Sequence, residues 1–419
     1  MSRHSRGVFV KRMGSTVLGS VLANTLAYAQ PDVLTTSRAD VALRRSPGEV
    51  QLDEGKLKDL VAFIESEVND GTAPGAGIVA TRHGRPFLEH FCGTYRTLSG
   101  EDRPFEPNVS SLLFSFSKGI SATVIAMAHQ DGFLDYDVPV SMYIPEFNGG
   151  GKEAITLRHL LTHSAGIPTA PVGHLATEEQ WRAAMKKVCT APLEWPVGSK
   201  TIYHGISAMF VAAEAVRRVS GNKPWDAICR DLLFDPIGAT SLTFDTPAPG
   251  KPVALTPSYF QSLDAAKYDI LRQPAGGCFG TLEDMLRVLN LIVDGGRWHA
   301  RQLIEPDALK EMLTVQYANE IARAVREGKN PVHDPWGLGW LIRGTGPQPG
   351  AAGWFGFGDS PSPTLFGHAG VNTVFGVGDP ARGLAFAFIT TDSPGDEVKS
   401  TRLRTEVSNR LQEAVDDKA

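Results

Sequence analysis

The sequence predicts an α+β fold: one sheet built from both ends of the chain, with a helical region inserted into it. Three observations carry this. Strand patterns lie near both ends of the chain. The middle, from about Phe114 to Leu233, holds helical patches joined by Gly/Pro loops. An amphipathic segment closes each end. Strands at both ends with helices between imply one sheet built from both termini.

Taken in order, Leu57, Leu60, Val61, Ile64 and Val68 form a helical stripe within Leu52 to Val68. Residues 76–81 and 86–91 flank Arg82-His83-Gly84-Arg85, a β-hairpin pattern. Helices are predicted over Ala208 to Val219, Leu282 to Val293 and Leu303 to Val315. Trp336 to Ile342 opens a β-rich end that continues through Thr373 to Val377 and Leu384 to Thr390. Thr401 to Val415 closes it as an amphipathic helix. No internal repeat is evident.

A chain of 419 residues can bury a large core. With 42% hydrophobic and 21% charged residues, it has the composition of an ordinary globular protein. The net charge is −5 and no basic block is interleaved with aromatics, which argues against a nucleic-acid partner. No apolar run reaches transmembrane length, so stable membrane insertion is not expected. The cysteines are Cys92, Cys189, Cys229 and Cys278. None forms C-x-x-C or pairs with His at metal spacing, so neither metal nor cofactor is predicted. Their wide scatter favours free thiols, although one bridge stays open in an exported protein.

The N-terminus differs from the rest. Arg3, Arg6, Lys11 and Arg12 precede a mildly apolar stretch from Met13 to Leu26, then Ala27-Tyr28-Ala29, with no acidic residue before Asp32. This pattern predicts a signal peptide over 1–29, cut after Ala29, and hence a periplasmic or secreted protein. A mitochondrial presequence and an uncleaved tail share the same features. Residues 30–49 lack periodicity and are expected to be a disordered linker. The catalytic domain is then 50–419, with its α/β part at about 50–113 and 270–419 and its helical part at about 114–269.

Chemistry points first to Ser115-Phe116-Ser117-Lys118, at the start of the apolar helix that runs towards Gly132. Residues three apart share a helix face, so the Ser115 hydroxyl and the Lys118 amine can meet. A serine hydroxyl needs a base to take its proton. Burial and the positive end of the helix dipole both lower a lysine pKa towards that role. The same helix start offers backbone N–H groups to an oxyanion. A second copy of the pattern, Ser220-Gly221-Asn222-Lys223, follows a helix and is broken by Gly, Asn and Pro224. It is expected to be a turn without a catalytic role. Tyr203, just before a helix, is a candidate second proton carrier or a packing tyrosine. In Phe366-Gly367-His368-Ala369-Gly370, the two glycines would let a substrate approach the backbone closely. His163 is expected to cap a turn. His204 is expected either to touch substrate or to face solvent. Trp354 to Phe357 could wall an acyl pocket or simply cover a loop.

The order S-x-x-K, Tyr, H-x-G resembles the serine β-lactamase and penicillin-binding superfamily. It is most similar to the class C β-lactamase-like proteins: family VIII esterases, D,D-peptidases and related acyltransferases. Leu160-Leu161-Thr162-His163-Ser164-Ala165-Gly166 resembles that family's LLTHTSG segment. Phe234 to Ala239 resembles its PLGM turn, and Gly276 to Met285 its GGG…ST..D segment. The resemblance implies an antiparallel β-sheet flanked by helices with an inserted all-α subdomain, and an acyl-enzyme mechanism in the groove between them. Ser115 would be the nucleophile, Lys118 or Tyr203 the base, and the Ser115 and Val371 N–H groups the oxyanion hole. His368, Gly370 and Gly205 would line the substrate site. Two departures stand out. Gly205 occupies the Asn position of Tyr-x-Asn, and His368 stands where β-lactamases usually carry lysine. Both lean towards a hydrolase of small or medium carboxylic esters. A D,D-peptidase or class C-type β-lactamase is the alternative, and a catalytically idle binding protein of the same fold is a third. The expected partner is a small ester or amide substrate.

Overall fold

Asp53 starts the first helix by accepting a 3.1 Å hydrogen bond from the Lys56 N–H, and α1 (Glu54–Asn69) buries Leu57, Leu60, Val61 and Ile64. The computed structural model describes residues 52–169, 175, 177–254, 272–344, 356–359, 362–370, 374–392 and 397–415. The predicted leader 1–29 and linker 30–49 lie outside the described residues, as do Trp354, Phe355 and Val371.

The hairpin is β1 (Gly75–Arg82) and β2 (Arg85–Arg96). His83 and Gly84 between them both take positive φ, 50° and 68°, the conformation a tight two-residue hairpin turn needs. β3 (Asp102–Pro104) pairs with β2, and β4 (Ser111–Leu112) leads to the helical region. That region holds α2 (Phe116–Gln130), α3 (Leu157–Leu161), α4 (Glu178–Thr190), α5 (Ser207–Val219) and α6 (Trp225–Cys229). β5 (Phe279–Gly280) pairs back with β4. α7 (Leu282–Val293) follows, then a small hairpin of β6 (Arg297–Trp298) and β7 (Arg301–Gln302), then α8 (Pro306–Leu313) and α9 (Ala318–Arg326). β8 (Leu341–Ile342), β9 (Phe366–Ala369), β10 (Val374–Asp379), β11 (Leu384–Thr390) and α10 (Glu397–Ala414) complete the order.

The sheet is antiparallel, in the order β3-β2-β1-β11-β10-β9-β8. Its centre is the pairing of β1 with β11, Ala76 opposite Thr390 through Arg82 opposite Leu384, which joins the two ends of the chain as predicted. Strand alternation separates two cores. Ile78, Ala80, Phe375, Phe386 and Phe388 pack with Leu57 and Leu60 of α1 and Leu403, Val407 and Leu411 of α10. Val79, Val374, Ala385, Ala387 and Ile389 face α7 and the helical region. Small residues on that second face let α2 come close: a Cβ at Gly376 would lie 2.2 Å from the Phe116 ring.

Two predicted elements differ. The helix expected from Leu303 begins only at Pro306, because Gly295 and Gly296, both at positive φ, open the β6–β7 hairpin first. Of the predicted strand Trp336 to Ile342, only Leu341–Ile342 forms a strand, and Trp336 adds a single antiparallel bridge to Leu341. Trp336 to Trp340 is a loop pressed on α2: a Cβ at Gly339 would lie 2.3 Å from Ala122, and Gly119 of the helix abuts the Trp340 ring. The glycines that mimic strand alternation here serve close approach. Cys92, Cys189, Cys229 and Cys278 are free thiols, the last two buried and the first two half-buried.

Candidate active site

Phe114 sets the nucleophile's position. Its φ is +45°, a left-handed conformation that bulky residues rarely adopt. The chain turns sharply there, and Ser115 follows as the N-cap of α2 with φ −67° and ψ −11°. Its hydroxyl caps no backbone N–H. Instead, Lys118 Nζ lies 2.9 Å from Ser115 Oγ and donates at 3.0 Å to the Ala275 carbonyl. The i, i+3 spacing brings the pair together as the sequence predicts.

The carbonyl that holds Lys118 belongs to a segment fastened along α2. Ser121 Oγ donates to the Pro274 carbonyl at 2.7 Å. Cys278 N–H donates to Ser117 Oγ at 3.1 Å, and Leu113 N–H to the Cys278 carbonyl at 2.8 Å. Lys118 itself is 1% exposed. Burial lowers its pKa from 10.5 to about 7.

Tyr203 lies beside the lysine, its ring centroid 5.2 Å from Lys118 Nζ. Its hydroxyl is engaged with Ser115. Burial pushes the phenol pKa well up, and the Ser115 hydrogen bond only partly offsets this. Ser115, Lys118 and Tyr203 therefore meet in one place. A ring cluster surrounds them: Trp336 stacks on Tyr203 (5.9 Å, 14°), and His163 lies 4.9 Å from Tyr203 and 4.5 Å from Trp336. His368 closes the cluster, 6.0 Å from Tyr203. Its Nδ1 is 2.8 Å from the Ala369 carbonyl. Burial first, and Lys118 second, hold its pKa well below the usual histidine range. His368 is thus neutral and carries no fixed positive charge.

Several sequence expectations are modified. Gly367 and Gly370 are small for the protein's own packing. A Cβ at Gly367 would meet the Gly376 carbonyl at 2.5 Å, and one at Gly370 the Leu113 carbonyl at 2.8 Å and Phe114 at 3.0 Å. Gly370 thereby braces the nucleophile turn. His204 is 5% exposed and so does not face solvent. Gly205 takes an ordinary conformation, and among the described residues a Cβ there would touch only Thr169, at 3.6 Å. The second S-x-x-K copy is a turn, as expected: Ser220 ends α5, Gly221 and Asn222 take positive φ, and the exposed Lys223 pairs with Asp231 at 2.9 Å. Sequence reasoning missed Phe114, Ala275 and Trp336 as parts of the site. The only advance hint was the family-like Gly276-Gly277-Cys278 segment beside Ala275.

Among the described residues, no helix is long and apolar enough to cross a membrane. A sheet closed by both chain ends, and a serine and a buried lysine at the start of a helix beneath a tyrosine, are the marks of the serine β-lactamase fold. The chain belongs to the β-lactamase family, whose model matches residues 60–408. It is similar to esterase/β-lactamase LipL of Mycobacterium tuberculosis, with 27% identity over 36% of this chain and 34% of LipL. Esterase EstB of Burkholderia gladioli is 24% identical over 70% of this chain and 82% of EstB. Among solved structures, a penicillin-binding protein homologue from Caulobacter crescentus superposes with a TM-score of 0.68. It is 23% identical and covers 87% of this chain and 98% of its own.

Proposed function

We propose that this protein is a serine hydrolase of carboxylic esters that works through an acyl-enzyme on Ser115. The observation that carries the reading is a buried lysine, near-neutral in pKa, 2.9 Å from Ser115 Oγ. Neutral Lys118 takes the Ser115 proton as Oγ bonds to the ester carbonyl carbon. Tyr203, kept protonated by burial, gives its proton to the leaving alkoxide as the C–O bond breaks, and recovers one from the Lys118 ammonium. Water then repeats the sequence on the acyl-enzyme and releases the acid. The N–H of Ser115, at a helix start and so outside the intrahelical ladder, supports its oxyanion role. Val371 is the proposed second donor. The likeness to EstB supports an ester substrate.

The family itself favours a second reading, a β-lactamase or penicillin-binding D,D-peptidase. Gly205 and neutral His368 argue against it. A missing hydrogen bond to a charged group costs about 1.5–3 kcal/mol, about 10–150-fold in binding. Esters without a carboxylate lose nothing by it. In kcat/KM, p-nitrophenyl butyrate is expected to exceed nitrocefin. Gly205→Asn with His368→Lys is expected to raise nitrocefin turnover relative to the ester, since a Cβ at 205 finds room beside Thr169. A preference of the unmodified protein for nitrocefin promotes the second reading.

We also propose export. The basic, acid-poor leader supports cleavage after Ala29, so exported protein is expected to begin at or near Gln30. N-terminal sequencing that returns Met1 or Ser2 removes this reading.

A further inference from the structure

Tyr203 lies in a stretch without regular secondary structure, between Pro196-Val197-Gly198 and α5, so neither a ladder nor a helix fixes its backbone. One residue brackets it from both sides. The Ile202 N–H donates to the His163 carbonyl at 3.1 Å, and the His204 N–H donates to His163 Nδ1 at 3.1 Å. A single residue can aim its carbonyl and its ring at the same strip of chain only from an unusual conformation. His163 has one, with φ +55°. Its ring also lies 4.9 Å from Tyr203 and 4.5 Å from Trp336, while Trp336 stacks on the tyrosine ring. His163 is 3% exposed.

We infer that His163 is the positioning residue for Tyr203: its carbonyl and the lone pair of its Nδ1 clamp Ile202 and His204, and so hold the phenol at Ser115. This rests on the acyl-transfer reading above. The clamp requires a neutral imidazole with its proton on Nε2, because a protonated Nδ1 cannot accept the His204 N–H. Burial, then the nearby Lys118, His204 and His368, all favour that neutral form. No carboxylate stands among those influences.

The leaving group separates positioning from mere structural support. An ethyl ester must have its alkoxide protonated as it leaves, whereas p-nitrophenolate departs without a proton. Loss of folded protein lowers both rates equally. A displaced Tyr203 lowers one. In the full-length protein, His163→Leu is expected to lower kcat/KM for ethyl butyrate about 100-fold, the scale of general-acid catalysis. It should change p-nitrophenyl butyrate by less than about threefold. Tyr203→Phe is expected to give the same asymmetry. His163→Asn tolerates the positive φ and offers an acceptor oxygen to the His204 N–H, so it should keep the ratio of the two substrates near that of the unmodified protein.

Equal falls on both esters in a folded Leu variant overturn the inference. So does a folded Asn variant whose ratio has collapsed. If the Leu chain does not fold, the Asn ratio decides alone. The acyl-transfer reading is judged separately, by whether turnover of either ester by the unmodified protein depends on Ser115.

Discussion

Ser115→Ala is expected to abolish ester turnover, by on the order of 10⁴-fold or more, while the protein stays folded. Alanine removes the only atom that can form the acyl bond. The structure gives the fold little to lose. Serine at a helix N-cap usually contributes about 1 kcal/mol through a hydrogen bond to the first turn. Ser115 makes no such bond, because its backbone is already helical and its hydroxyl is turned to Lys118 and Tyr203. Lys118 keeps the Ala275 carbonyl as its partner in the variant. The melting temperature should therefore move by no more than a few degrees. Ser220→Ala is the matched control: the same substitution, in the same four-residue pattern, at a turn whose lysine is committed to Asp231. It is expected to leave turnover unchanged. Labelling with a fluorophosphonate, read by intact mass, checks both. Labelling of Ser115→Ala but not of Ser220→Ala would relocate the nucleophile.

What the sequence made legible was local. The hairpin at 82–85 was readable because His83-Gly84 favours positive φ between two apolar runs. The helix Leu282–Val293 was readable to the residue because its apolar face repeats at helical period and Thr281 caps it. Ser115 and Lys118 were readable as a pair because i, i+3 spacing on a helix needs no tertiary information. Tyr203 and His368 stood alone as weak candidates, and only the resemblance joined them to Ser115, since 85 or more residues of chain separate them from it. The remainder depended on packing. Nothing in the sequence announces a phenylalanine at φ +45°, and the lysine-holding carbonyl of Ala275 is a backbone atom with no side-chain signature. Trp336 looked like part of a strand, because alternating Trp and Gly imitates strand periodicity. The glycines were there to let a loop press on α2.

Lys118→Met is the sharper test, because activity and stability should move in opposite directions. Turnover is expected to fall about as far as in Ser115→Ala, since Lys118 is the base 2.9 Å from Ser115 Oγ and Tyr203 is held protonated. In the unmodified protein, kcat/KM should rise with pH through about 7, as the lysine loses its proton, and then level off. Stability follows from the same shift. In the unfolded chain, Lys118 holds its proton up to about pH 10.4; in the folded protein it gives it up at about 7. Between those values the unfolded state binds the extra proton, so the unmodified protein loses stability as pH falls across this window, and below about 7 the penalty is complete. At about 1.4 kcal/mol per pH unit, that penalty is on the order of 5 kcal/mol. Methionine fills a similar volume without it. The variant leaves the buried Ala275 carbonyl without its lysine, at a cost of about 1–3 kcal/mol. The balance favours a variant that is inactive and melts several degrees higher at pH 6, with the gain shrinking as pH approaches 10. Thermal melts at a series of pH values, run beside ester turnover, measure both. A Lys118→Met protein that still turns over esters, or one whose stability relative to the unmodified protein improves as pH rises, would mean that Lys118 is not held near neutrality.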